Sequence, residues 1–133
     1  MNRLQGEISK IIEGNGLSQV TVSLGGDTTL KCLVLETPSS APYLRIGTKR
    51  VVIFKETEVI IGKGNQTDIS LQNKIPGIIR KIKEGKLLCE ITVDTKSGLV
   101  IGIIGIESRT EMELKIGEPV IVMIKQNEIM LSE

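Results

Sequence analysis

The stretch NKIPGIIRKIKEGKLLCEI, Asn73 to Ile91, copies the pattern of NRLQGEISKIIEGNGLSQV, Asn2 to Val20. In each, an Asn is followed four residues later by a Gly (Gly6, Gly77), and a second Gly comes eight residues after that (Gly14, Gly85). The correspondence continues downstream. GLSQVTVSLGGDTTLKCLVL and LLCEITVDTKSGLVIGIIGI both alternate apolar and polar residues and are interrupted by a glycine turn, Gly25–Gly26 in one and Gly98 in the other. Strict alternation broken by Gly is the pattern of a strand, a hairpin turn and a second strand.

LRIGTKRVVIFKETEVII, Leu44 to Ile61, then lies over LKIGEPVIVMIKQNEIML, Leu114 to Leu131, without a gap. Leu44/Leu114, Ile46/Ile116, Gly47/Gly117, Lys55/Lys125 and Glu58/Glu128 are identical at an offset of 70, whereas the Gly6/Gly77 and Gly14/Gly85 pairs are offset by 71. One inserted residue in the hairpin turn accounts for the difference. The chain is a duplicated unit.

Each unit reads as three strands, a connection, and two closing strands. The first connection, ETPSSAPY, holds two prolines that exclude a central strand. The second, ESRTEMEL, fits one short helical turn with Ser108 as its N-cap. The expected fold is all-β: two tandem, small five-stranded barrels of the oligonucleotide/oligosaccharide-binding (OB) type, over residues 1–63 and 68–133, joined by a polar, Gly-rich linker at 64–67. Units this small bury a modest share of their surface, so packing between them, and in a homo-oligomer, most simply a dimer, is expected.

Composition narrows the function. The chain has 133 residues, 40% hydrophobic and 25% charged, as in an ordinary globular protein. No apolar run approaches the roughly 18 residues that span a bilayer, and no secretory signal is visible, so a cytoplasmic location without membrane contact is expected. Cys32 and Cys89 each sit within an apolar alternation and read as buried reduced thiols. The sequence contains no His and no Trp, with one Tyr and one Phe. General-base chemistry near neutral pH and a cationic metal site thereby lose their commonest residue, and no Ser or Cys nucleophile has a partner base. The reading is a binding protein, not an enzyme. With a net charge of +1 and two aromatics, nucleic-acid binding lacks both a basic groove and stacking platforms.

These residues resemble a known family. NKIPGIIRKIKEGKLLCEI together with LKIGEPVIVMIKQNEIML is similar to the molbindin (Mop) domain, an OB-like barrel that binds molybdate and tungstate and is related to the TOBE domain. The tandem arrangement is similar to the sensor region of ModE-type molybdate-responsive regulators and to stand-alone two-domain molbindins. The resemblance implies oxyanion binding in molybdenum storage and homeostasis or in sensing, an oligomer with sites near subunit boundaries, and three contact motifs. At the head motif Ser-Ala-Arg-Asn-Gln, the second unit has Ser70, Leu71, Gln72 and Asn73, with Gln72 on the Arg position. In the first unit Met1 falls on that position. At the Thr-x-x-Ser motif the second unit keeps Ser108, while the first has Thr37, Ser39 and Ser40 nearby. The Lys after the fourth strand is present twice, as Lys55 and Lys125.

Such residue types suit a tetrahedral dianion, which offers four acceptor oxygens and donates nothing: a lysine supplies charge, hydroxyls orient, and amides complete the shell. The expected ligand set is therefore Lys125, Ser108, Ser70, Lys55 and Gln72, weighted to the second unit. Two other readings stand beside it. One is a structural or dimerising TOBE module whose site has degenerated through loss of Arg and Thr. The other, weaker on aromatic content, is a nucleic-acid-binding OB barrel. Arg80, Lys81 and Lys83 read as the solvated edge of a strand.

Overall fold

The computed structural model describes residues 1–132, so only Glu133 of the second unit lies outside it. The first repeat forms β1 (Asn2–Gly14), β2 (Leu17–Gly25), β3 (Thr28–Val34), β4 (Lys49–Phe54) and β5 (Ile60–Gly62). The second forms β6 (Asn73–Glu84), β7 (Leu88–Thr95), β8 (Gly98–Gly105), helix α1 (Ile106–Glu111), β9 (Pro119–Ile124) and β10 (Met130–Ser132). A single 3-10 turn follows β4 (Glu56–Glu58) and another follows β9 (Gln126–Glu128). The all-β architecture of two OB-like five-stranded units is the one expected.

Alternation explains which faces pack. On β7, Cys89, Ile91, Val93 and Thr95 point inward, and on β2, Ser18, Val20 and Val22 do so. The apolar ones among them, Cys89, Ile91, Val93, Val20 and Val22, join Leu4, Ile8, Leu30, Phe54, Ile75, Ile79 and Ile124 in one continuous hydrophobic cluster shared by both repeats. Burial of each large aliphatic side chain contributes about 1.5–3 kcal/mol. Cys32 and Cys89 are buried free thiols, as expected. Burial pushes the Cys32 thiol up to about 12 and also raises that of Cys89, so neither is poised for thiolate chemistry.

The sheets do not follow the repeats strand for strand. One sheet runs β10-β4-β1-β2-β3 and the other β5-β9-β6-β7-β8, so each takes its fifth strand from the opposite repeat. Met130 pairs with Ile53 and Ile60 with Met123. All these ladders are antiparallel. The two closing strands of each unit are thus split between sheets, whereas the repeat pattern implied that each unit closes itself. The cause is local. The 3-10 turn after β4 ends in extended Val59, which is buried and packs on Gly102 of β8, where an added Cβ would lie 2.8 Å from Val59 Cγ1. That contact carries the chain across to the other sheet before β5 begins.

The outer strands β3 and β8 would otherwise leave buried ladder groups open. The head-motif asparagines close them. Asn73 Nδ2 donates to the Lys31 carbonyl at 2.8 Å, and the Lys31 amide donates to Asn73 Oδ1 at 2.7 Å. Asn2 makes the same pair of bonds with Ile101, both at 2.8 Å. A primary amide reproduces the donor and acceptor of one backbone residue, so each Asn acts as a one-residue strand stitched to the opposite repeat. Both asparagines are buried.

One detail departs from the local expectations. Helix α1 starts at Ile106 with Gly105 as N-cap and no side-chain cap, so Ser108 lies inside the helix and does not cap it. The Ile106 amide donates to the Leu87 carbonyl at 2.9 Å, which sets the start two residues before Ser108. Arg80, Lys81 and Lys83 are exposed as expected. Their strand is interior only as far as Ile78, where pairing with β9 ends; beyond that β6 pairs with β7 alone.

Candidate functional site

On the approach to β6, burial alternates along the chain. Leu71 and Asn73 are buried, which turns Ser70 and Gln72 outward. Across from them, β9 ends at Ile124, buried in the core, and Lys125 follows with extended backbone (φ −66°, ψ 140°). Its carbonyl accepts the Glu128 amide at 3.0 Å and so fixes the 3-10 turn. The second-repeat turn packs against β3 of the first repeat, the strand that Asn73 grips.

These three segments enclose a cavity of ≈ 250 Å³ walled by Leu33, Ser70, Leu71, Gln72, Lys125, Gln126 and Asn127. Three of the five expected ligand residues, Ser70, Gln72 and Lys125, meet there. They supply one cation, a hydroxyl and an amide, and no carboxylate lines the space. Chemically it suits a small anion with several acceptor atoms.

The other two stand elsewhere. Ser108 is exposed on α1, with its carbonyl bonded to the Met112 amide at 2.9 Å. Lys55 is exposed at the equivalent turn of the first repeat. There the next residue is Glu56, whose carboxylate accepts the Met1 ammonium at 2.9 Å. The ammonium holds the Glu56 carboxyl below the usual carboxylate range.

Leu33, Gln126 and Asn127 were not anticipated. Leu33 is contributed by the opposite repeat, a placement that depends on pairing between units. Gln126 carried a signal, since it follows Lys125 and replaces an acidic residue of the first repeat.

A larger groove of ≈ 750 Å³ adjoins this cavity and shares Gln72 with it. Its floor is Pro76, Gly77, Ile78 and Pro119, and its rim carries Lys74 and Lys96 against Asp27 and Asp94. Balanced charges and an apolar floor make it the poorer place for a dianion, despite its size. Among the described residues no group of three or more His, Cys, Asp or Glu side chains forms a metal cage, and no helix is long and apolar enough to cross a membrane.

Comparison with known proteins agrees with this architecture. The profile of the TOBE domain family matches residues 69–131. A crystal structure described as the cytoplasmic molybdate-binding protein ModG, with molybdate bound, superposes with a TM-score of 0.91 at 26% identity. The alignment covers 98% of this chain and 94% of that one. Sequence comparison with curated proteins gives no significant match. Residues 69–131 thus match the TOBE domain, and the chain as a whole is similar in fold to ModG.

Proposed function

We propose that this protein binds molybdate or tungstate as a cytoplasmic oxyanion-binding protein, serving molybdenum storage and homeostasis or forming the sensor region of a molybdate-responsive regulator. The observation that carries the reading is the meeting of Ser70, Gln72 and Lys125 at one acid-free cavity. The likeness to ModG supports the ligand class. Gln72 takes the place of the family Arg and offers amide donors without charge, so Lys125 is the principal cation of the site. Ser108 and Lys55, outside the cavity, reach a ligand only where a second subunit brings them to one. An oligomer, most simply a dimer, is part of the proposal. Leu35, Ile46, Leu87 and Ile116 are large apolar side chains between 65% and 86% exposed, more than an isolated small domain gains by showing to water. Sedimentation at tens of micromolar is expected to give a species heavier than one chain.

A desolvated lysine–oxyanion bond contributes about 1.5–3 kcal/mol. Lys125→Met is therefore expected to weaken molybdate binding about tenfold to a hundredfold, measured by titration calorimetry, with little change in the unliganded melting temperature because Lys125 is exposed. Lys55→Met should cost much less. Ligand at about a hundred times its Kd should stabilise the wild type by ~2.7 kcal/mol per independent site. A wild type that gives no heat and no thermal shift with either anion would favour the degenerate structural module, for which the Gln at the Arg position speaks. A thermal shift with single-stranded DNA instead would favour the nucleic-acid reading.

A further inference from the structure

The two repeats place the same turn at equivalent positions, yet its chemistry differs between them. In the second repeat Gln126 forms part of the cavity wall. Its Oε1 accepts a hydrogen bond from Gln19 Nε2 at 2.9 Å, and Gln19 comes from β2 of the other repeat. Gln19 is anchored beside the cavity because it pairs with Leu33, itself a wall residue. With its oxygen committed, Gln126 has two N–H donors left, and they have no protein acceptor among the described residues. An amide oriented in this way presents donors to whatever fills the cavity and keeps its acceptor turned aside.

The duplication supplies an internal comparison. The residue aligned with Gln126 is Glu56, and the residue aligned with Gln19 is Glu90. Glu90 pairs with Ile103 on β8 as Gln19 pairs with Leu33 on β3. A pair of amides that meets across the repeat boundary at one position is thus a pair of acids at the equivalent positions. An ionised carboxylate accepts only and repels a dianion, whereas an amide donates. Lys83 stands across the ladder from Glu90 and Lys55 precedes Glu56, so these acids have cationic neighbours. A neighbouring cation still does not turn an ionised carboxylate into a donor.

We infer that Gln126 is a further ligand-donating residue of the Ser70–Gln72–Lys125 cavity, oriented by Gln19 across the repeat boundary. The Gln-to-Glu difference then makes this position, and not its counterpart in the first repeat, the one that accepts an oxyanion. The inference rests on the oxyanion reading above and adds to it the residues that decide anion selectivity.

Titration calorimetry with sodium molybdate tests it on the full chain. Gln126→Glu is expected to lose at least about tenfold in affinity near neutral pH, with an unliganded melting temperature close to that of the wild type. Binding by that variant should recover as pH falls from about 8 towards the carboxylate range, because a protonated carboxyl donates where the ionised one repels. The wild type should show no such recovery. Gln126→Met, which keeps size and loses the amide, should bind more weakly at every pH without the recovery. Gln19→Leu, which frees Gln126 to rotate, should lose a smaller factor. Wild-type affinity in both Gln126→Glu and Gln126→Met would overturn the inference while leaving the oxyanion reading intact. Absence of molybdate binding in the wild type would overturn both.

Discussion

Asn73→Ala is expected to destabilise the protein by about 2–4 kcal/mol, one of the largest effects of any single polar substitution in this chain. The side chain holds both the amide and the carbonyl of Lys31, at 2.7 and 2.8 Å, from a position that is 1% exposed. Truncation leaves two backbone groups of an outer strand without partners in a partly buried setting, and each such orphan costs about 1–3 kcal/mol. Asn73→Asp should be no better. It keeps an acceptor for the Lys31 amide, sets a second oxygen against the Lys31 carbonyl, and buries a charge. The variant also carries a pH signature. Burial and the facing carbonyl raise the folded-state pKa of the new carboxyl above its unfolded value near ~3.9. The folded protein then binds the extra proton, so stability is fully present below the unfolded pKa and is lost as pH rises through the folded one. Denaturant unfolding at several pH values checks both claims. An Asn73→Ala protein within about 0.5 kcal/mol of wild type would show that the bonds to Lys31 are replaced by water at no cost. Asn2→Ala should behave alike, through Ile101.

Gly77→Ala is expected to cost about 2–3 kcal/mol, at the upper end of overpacking. An added Cβ would lie 2.5 Å from Val93 Cγ1 and 2.7 Å from the Asp94 carbonyl oxygen. The second of these is backbone in the paired strand, so relief requires β6 and β7 to separate where both are anchored in the sheet. Gly6 stands in the same relation to Val22 and Ser23, at 2.5 and 2.8 Å. Gly14 supplies the control, since nothing lies within 4 Å of a Cβ there; Gly14→Ala should be near neutral. Equal unfolding midpoints for Gly77→Ala and Gly14→Ala would refute the steric account. Gly6 and Gly77 are thus both forced by a neighbouring strand, whereas of the second pair Gly14 is free and a Cβ on Gly85 would meet the Leu88 carbonyl oxygen at 2.9 Å.

Much of the fold was legible because it depends on near-neighbour patterns. Alternation marked the strands, Gly25–Gly26 and Gly98 marked the hairpins, and the offset of 70 exposed the duplication. What escaped the sequence was pairing at a distance. A three-residue strand such as Ile60–Gly62 has no pattern of its own that selects β9 over β4. The choice lies in Val59 finding the space over Gly102, a contact between residues far apart in the chain. The asparagines were visible as a repeated letter, but their role emerges only once β3 and β8 are known to be outer strands. The candidate site divides in the same way. Ser70, Gln72 and Lys125 followed from matching motifs, while Leu33 and Gln126 needed the two repeats to be seen in contact. Ser108 matched its motif yet sits on a helix directed elsewhere, because the bond from Ile106 to Leu87 starts that helix early.

The exchange of β5 and β10 has a consequence for how the protein comes into being. The sheet built on β1 to β4 takes its last strand from residues 130–132. As the chain emerges from the ribosome, the first repeat therefore waits with the outer side of β4 open until residues 130–132 have been synthesised. Unpaired strand edges of this kind invite pairing with other chains. The interval between translation of Phe54 and that of Met130 is the period in which nascent chains are most exposed to joining one another. Ribosome-stalled chains ending before Met130 should be correspondingly prone to proteolysis and self-association, and emergence of residues 130–132 should end both at once.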